Sequence, residues 1–206
     1  MKKKFLIIPV LFAAAIMFAF IGGENETQTL LSVGDKAPKT SYEMTEISGR
    51  TVSLESMKRD NGLLVMFSCN TCPFVLGWED RYPELAEACV ANGIGMVVVN
   101  SNEAKRKGDD SMEQMKSHAK DKGYNFAYAV DTDSELAKAF GATKTPQAFL
   151  FNAEMTLMYE GAIDDNMKDK ANAEPYLMEA ISAVAKGMKP DPEKTKAVGC
   201  SIKKMQ

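Results

Sequence analysis

The sequence predicts an α/β fold: a central mixed β-sheet flanked by helices, with an N-terminal β-hairpin. Three observations carry this reading. The runs Leu63–Phe67 and Ile94–Val99 are apolar without alternation, which requires burial on both faces and hence central strands. Stretches of helical spacing follow each run. Ala148–Phe151 and Leu157–Glu160 then read as two strands joined by the Asn152-Ala153-Glu154 turn, with a closing helix behind them. Strand, helix, strand, helix, hairpin and helix is the order of an α/β domain.

In chain order, Lys2, Lys3 and Lys4 precede an uncharged, mostly apolar run from Phe5 to Ile21. This pattern makes residues 1–23 a secretory signal peptide or an uncleaved N-terminal anchor. No A-x-A cleavage site follows, so both readings stay open. Either way the body of the protein is expected to be exported, periplasmic or otherwise extracytoplasmic, with a membrane as partner only through this segment. Residues 24–33 read as a linker, and the domain with its C-terminal arm spans 34–206. Thr45 to Leu54 alternates around a Gly turn and suits a hairpin that turns Ile47, Val52 and Leu54 inward. Pro73 to Asn92 places Trp78, Tyr82, Leu85 and Cys89 on one helical stripe, with Pro83 marking a kink or a junction of two helices. Ser111–Lys122 predicts an amphipathic helix and Phe126–Val130 a short strand. Asp133 is expected to cap a helix that runs to Phe140 and stops at Gly141. The last helix covers about 173–186, and the tail from Gly187 reads as an irregular arm.

Composition narrows the function classes. The chain has 206 residues, 45% hydrophobic and 26% charged, which fits a globular domain rather than a disordered or multi-span chain. Its 25 Lys+Arg against 28 Asp+Glu give a net charge of −3 without a basic cluster, so nucleic acid is not an expected partner. One histidine and four cysteines direct attention to sulfur chemistry.

The informative stretch is Phe67-Ser68-Cys69-Asn70-Thr71-Cys72-Pro73, where a buried strand ends, two cysteines follow at C-x-x-C spacing and a helix begins. The spacing permits a small-loop disulfide, and free N–H groups of the first helical turn favour thiolate over thiol. Cysteines in such motifs have pKa values of roughly 3.5–7.5. One sulfur attacks a partner disulfide and the other resolves the mixed disulfide. By position Cys69 is expected to be the exposed nucleophile and Cys72 the more buried resolver. Pro73 suits the first turn, where its missing N–H costs nothing. A zinc site would need a second cysteine or histidine pair that the sequence lacks.

With these residues the chain resembles the thioredoxin-like superfamily, within it the redoxin or peroxiredoxin-like branch, over about residues 34–201. The resemblance rests on Cys69 to Val75 with Trp78-Glu79-Asp80-Arg81, on Asp131 to Pro146 running into Gln147–Phe151, and on Gly199-Cys200-Ser201-Ile202-Lys203. It implies a cis Pro146 facing the C-x-x-C, with the Thr145 backbone beside Cys69 to pair with an extended substrate segment. It implies thiol–disulfide exchange with protein thiols or disulfides and a redox partner protein, and no cofactor. Two departures stand out. Ser68 occupies the position where thioredoxins carry Trp. The strand Leu63–Phe67 holds none of their buried acid, which leaves Glu79 and Asp80 as nearby candidates, both read first as solvated helix charges.

Thiol-dependent peroxidase activity is the alternative. The peroxiredoxin pattern P-x-x-x-T/S-x-x-C speaks against it, because Cys69 is preceded by Gly62 and Met66 at those positions and Cys72 by Val65 and Cys69. A copper-binding chaperone would need a later histidine than His118, which reads as a solvated surface residue. Cys89 reads as a small buried hydrophobe. Asp109-Asp110 and Asp164-Asp165 read as loop charges. Cys200 is either a free tail thiol or a third redox cysteine that reaches the site.

Overall fold

A computed structural model describes residues 31–205. The expected leader, residues 1–23, and most of the expected linker lie outside them. Leu31, inside the stretch read as linker, is already buried in the core.

The hairpin forms from β1 (Met44–Glu46) and β2 (Thr51–Val52), with Met44 opposite Val52 and both side chains buried. Leu54 is buried as expected, but from the first position of a one-turn helix, α1 (Leu54–Met57). Ser53 caps that helix by accepting from the Ser56 N–H. β3 (Gly62–Ser68) is the fully buried central strand. Behind it come α2 (Pro73–Trp78), a 3-10 turn over Glu79–Arg81, and α3 (Tyr82–Ala91), so the proline separates two helices and sits in the first turn of the second. β4 (Ile94–Asn100), α4 (Met112–Asp121, capped by Ser111) and β5 (Ala127–Val130) follow.

α5 (Glu135–Phe140) ends at Gly141, whose φ of 66° is the left-handed conformation that terminates helices. Its N-terminal cap is not Asp133 but Asp131. The buried Asp131 carboxylate accepts from the Leu136 and Ala137 N–H groups and from the Ser101 hydroxyl, whereas Asp133 lies at φ 55° outside the helix. The chain closes with β6 (Lys144–Thr145), β7 (Gln147–Phe151), β8 (Leu157–Gly161), α6 (Tyr176–Ala185) and β9 (Cys200–Ser201).

Seven strands form one mixed sheet in the order β2-β1-β5-β4-β3-β7-β8; β3, β4 and β5 run parallel and the outer pairings are antiparallel. Side chains of β3 alternate between two cores, as the pleat requires. Leu64 and Met66 pack with α3, α4 and α6, while Leu63, Val65 and Phe67 pack with α1 and α5. The tail is not irregular throughout: β9 pairs antiparallel with β6 in a separate two-stranded sheet.

Candidate active site

β3 delivers the motif to the end of the sheet, and the chain turns there because Pro73 begins α2 with Cys72 at its N-cap. The loop that carries Cys69 is held from below. Asn70 N–H donates to Asp110 Oδ1 at 2.9 Å and Asn70 Nδ2 to the Asp109 carbonyl at 2.7 Å, while the Tyr128 hydroxyl donates to Asn70 Oδ1 at 2.9 Å. Asp110 also accepts from Asn100 Nδ2 at 2.7 Å and Asn102 Nδ2 at 3.0 Å. Far from being a loop charge, it is fully buried. This is the acid that the structure brings to the motif, and sequence reasoning missed it. Its signal is the polar cluster Asn100-Ser101-Asn102 closing a buried strand, whose amides need an acceptor.

The other acids also differ from their expected settings. Glu79 is buried and committed to His118 Nε2 at 2.7 Å, to Lys122 Nζ at 2.5 Å and to the Tyr124 hydroxyl at 3.3 Å. His118 is therefore a half-buried member of a polar cluster rather than a solvated residue. Asp80 does remain exposed, paired with Arg81. Asp164 is buried, accepting from Trp78 Nε1 at 2.5 Å and Arg81 Nε at 3.0 Å, which fixes α2 against the loop after β8. Asp165 accepts from the Glu174 N–H. Cys89 is buried in the core as expected, and burial pushes its thiol up to about 12.

Facing the motif, the Thr145–Pro146 peptide bond is cis. Thr145 Oγ1 lies 3.5 Å from Cys69 Sγ, and the Thr145 carbonyl lies 3.3 Å from Cys72 Sγ, where it can accept a thiol proton. The four expected site residues, Cys69, Cys72, Thr145 and Pro146, are thus side by side. Two features depart from expectation. Cys69 is no more exposed than Cys72, at 2% and 4%. The cover includes the chain's own tail: β9 takes the edge of β6, with Cys200 opposite Thr145 and packed against the two sulfurs.

The sulfurs are electrostatically unequal. The Cys72 thiol is held down to about 4, chiefly by the hydrogen bond donated by Cys69, with the Cys200 thiol and the Val75 and Cys200 N–H groups adding to it against burial. Cys69 moves well above its ordinary value through the same bond, through burial and through the nearby Asp110 charge. Burial, and then the bond to Cys72, raises Cys200. With the tail docked, Cys72 is therefore the sulfur of the three whose thiolate is most favoured. Such a cluster can exchange disulfide bonds once a partner disulfide reaches it, since a thiolate supplies the attack and an adjacent thiol the resolution.

Comparison with known proteins agrees with this architecture. Thiol-disulfide oxidoreductase ResA of Bacillus cereus is 22% identical over 167 residues, covering 78% of this chain and 89% of that protein. Among solved structures, an uncharacterised conserved protein from Geobacillus kaustophilus is 35% identical with a TM-score of 0.76, covering 86% of this chain and 94% of its own. A hypothetical protein from Sinorhizobium meliloti 1021 is 29% identical with a TM-score of 0.77, covering 86% and 97%. The fold is thioredoxin-like, with a mixed sheet and helices on both faces. The model of the AhpC/TSA family matches residues 33–160, more than half of the sequence, and the chain belongs to that family.

Proposed function

We propose that the protein is an exported thiol–disulfide oxidoreductase whose redox couple is Cys69 and Cys72 and whose substrates are protein thiols or disulfides. The observation that carries this is the contact of both sulfurs with Thr145 at the strand–helix junction, 3.5 Å from its hydroxyl to Cys69 and 3.3 Å from its carbonyl to Cys72. The similarity to ResA supports the same class of reaction. The charged and apolar pattern of residues 2–21 supports export.

In this reading an extended substrate segment takes the Thr145–Pro146 edge in place of β9. Cys72 then loses the two donors that Cys200 supplies, while Cys69 keeps the Thr145 hydroxyl and the Cys72 N–H. Cys69 passes its proton to Cys72 and, as the thiolate, attacks the substrate disulfide and expels one substrate thiolate. Cys72 then attacks Cys69, forming the Cys69–Cys72 disulfide and releasing the second substrate thiol.

The test is reduction of a disulfide-containing protein by the reduced chain and its Cys69→Ser and Cys72→Ser variants. Both variants should fall to the uncatalysed rate, and Cys72→Ser should accumulate a mixed disulfide through Cys69, because nothing resolves it quickly. Turnover at the wild-type rate in either variant would sink the assignment.

A further inference from the structure

We infer that Cys200 is a third redox cysteine, which exchanges with the Cys69–Cys72 disulfide to form a Cys72–Cys200 bridge while the tail occupies the substrate edge. The inference rests on the exchange reading of Cys69 and Cys72 and adds a second oxidised state to the same site.

The geometry points to it in three independent ways. First, β9 is seated as an extended substrate would be, antiparallel to β6 with Cys200 opposite Thr145. Second, Cys200 is packed with Cys69, Cys72 and Val75 in one cluster, and its thiol and N–H are among the groups that lower the Cys72 thiol. Third, the seat is built for the tail. Gly199 lies so close to the Thr145–Pro146 peptide that a Cβ would overlap the Thr145 carbonyl. On the other side of Cys200, Ile202 is buried in the core and its N–H donates to the Thr143 carbonyl at 3.1 Å, and Lys203 N–H donates to Asn102 Oδ1 at 2.8 Å. Cys200 is thus fixed from both sides at the place where a substrate sulfur would stand.

The step needs no external oxidant. In the oxidised chain the Cys200 thiolate attacks Cys72 Sγ; the Cys72–Cys200 bond forms, the Cys69–Cys72 bond breaks, and Cys69 leaves as a thiolate that takes the proton given up by Cys200. One disulfide and one thiol stand on each side. The disulfide is carried from two buried sulfurs to the partly exposed Cys200, and Cys69 is freed beside Thr145. The initial oxidation comes from the disulfide substrate of the proposed exchange reaction.

Disulfide mapping of the full chain tests this. The protein is oxidised with excess oxidised glutathione, free thiols are alkylated, and the chain is digested with trypsin. Cys69 and Cys72 share the peptide 60–81 and Cys200 lies on 197–203, so a Cys72–Cys200 bridge links two peptides and a Cys69–Cys72 bridge does not. In the Cys69→Ser variant the linked pair 60–81/197–203 should become the main product, and Cys200→Ser should abolish the link while retaining the Cys69–Cys72 bridge. If wild type forms Cys69–Cys72 but Cys69→Ser leaves Cys72 and Cys200 both alkylated, the relay is overturned and the exchange reading stands. If wild type forms neither bridge, the exchange reading itself fails and the relay fails with it.

Discussion

A carboxylate without solvent must find all its partners within the protein, and Asp110 has done so with the Asn70 N–H and the side-chain amides of Asn100 and Asn102. These bonds tie the residue after Cys69 to the end of β4, so Asp110 holds the motif loop while its charge pushes the Cys69 thiol up. Asp110→Ala strands three buried donors, at roughly 1–3 kcal/mol for each one left unpaired. The reduced protein should therefore lose several kcal/mol in urea denaturation, and Asp110→Asn, which keeps one oxygen acceptor and the shape, should lose less. Equal stability of wild type and Asp110→Ala would show that the loop does not depend on this carboxylate. The contrast with Cys69, Cys72, Thr145 and Pro146 is instructive. Those residues belong to short contiguous motifs: the two cysteines were legible from their spacing, and Thr145 and Pro146 through the family resemblance that the flanking residues carry. Asp110, Glu79 and Asp164 were not, because a charged letter in a loop or helix looks the same whether solvated or buried. What buries Asp164 is Trp78 and Arg81, more than eighty positions away. The same long-range logic moved His118 from the solvent into the Glu79 cluster.

Among elements, periodicity identified what has a period. The continuous apolar runs became β3 and β4, and the stripe from Trp78 to Cys89 became the buried side of the α2–α3 segment. Short elements with no period to display were misread: Leu54 opens a helix instead of ending a hairpin, and the tail holds a two-residue strand. Yet that strand packs a third cysteine against the candidate site. Its position depends on Gly199, because only the absence of a side chain lets the backbone approach Thr145. Forcing a methyl group into a packed contact costs about 1–3 kcal/mol, and here the least costly relief is to lift β9 from β6. Gly199→Ala should therefore raise the rate at which iodoacetamide modifies the Cys69–Cys72 pair by roughly tenfold or more, since each 1.4 kcal/mol is about a factor of ten in the open population. An unchanged alkylation rate, with Ile202 still protected from exchange, would mean that β9 tolerates the methyl group and does not gate the sulfurs.

At the level of the whole molecule, the fold gathers three sulfurs from two distant parts of the sequence and makes their ionisation part of the folding equilibrium. A thiol in the unfolded reduced chain titrates near 9, whereas Cys72 in the folded chain is held down to about 4. Between those values the unfolded chain binds a proton that the folded chain does not. The reduced fold consequently gains stability as pH rises from about 4 toward 9, and loses it again as pH falls through 4. Cys69 and Cys200, both shifted upward, oppose this only at and above the ordinary thiol range. The gain cannot exceed about 1.4 kcal/mol per pH unit for one proton, and solvent screening lowers it. The proposed Cys69–Cys72 disulfide has no such proton, so only the reduced form should carry this slope. Urea denaturation at pH 5 and pH 7.5 should show the reduced form gaining on the oxidised form at the higher pH, and the reduced Cys72→Ser variant should lack that gain. Because this stabilises the dithiol relative to the disulfide, the reduction potential at neutral pH should lie above the roughly −270 mV of thioredoxin, toward the oxidising side of the range. Parallel pH profiles of the two forms would mean that the charge on Cys72 is not preferentially stabilised by folding, and the expectation of an oxidising potential would go with it.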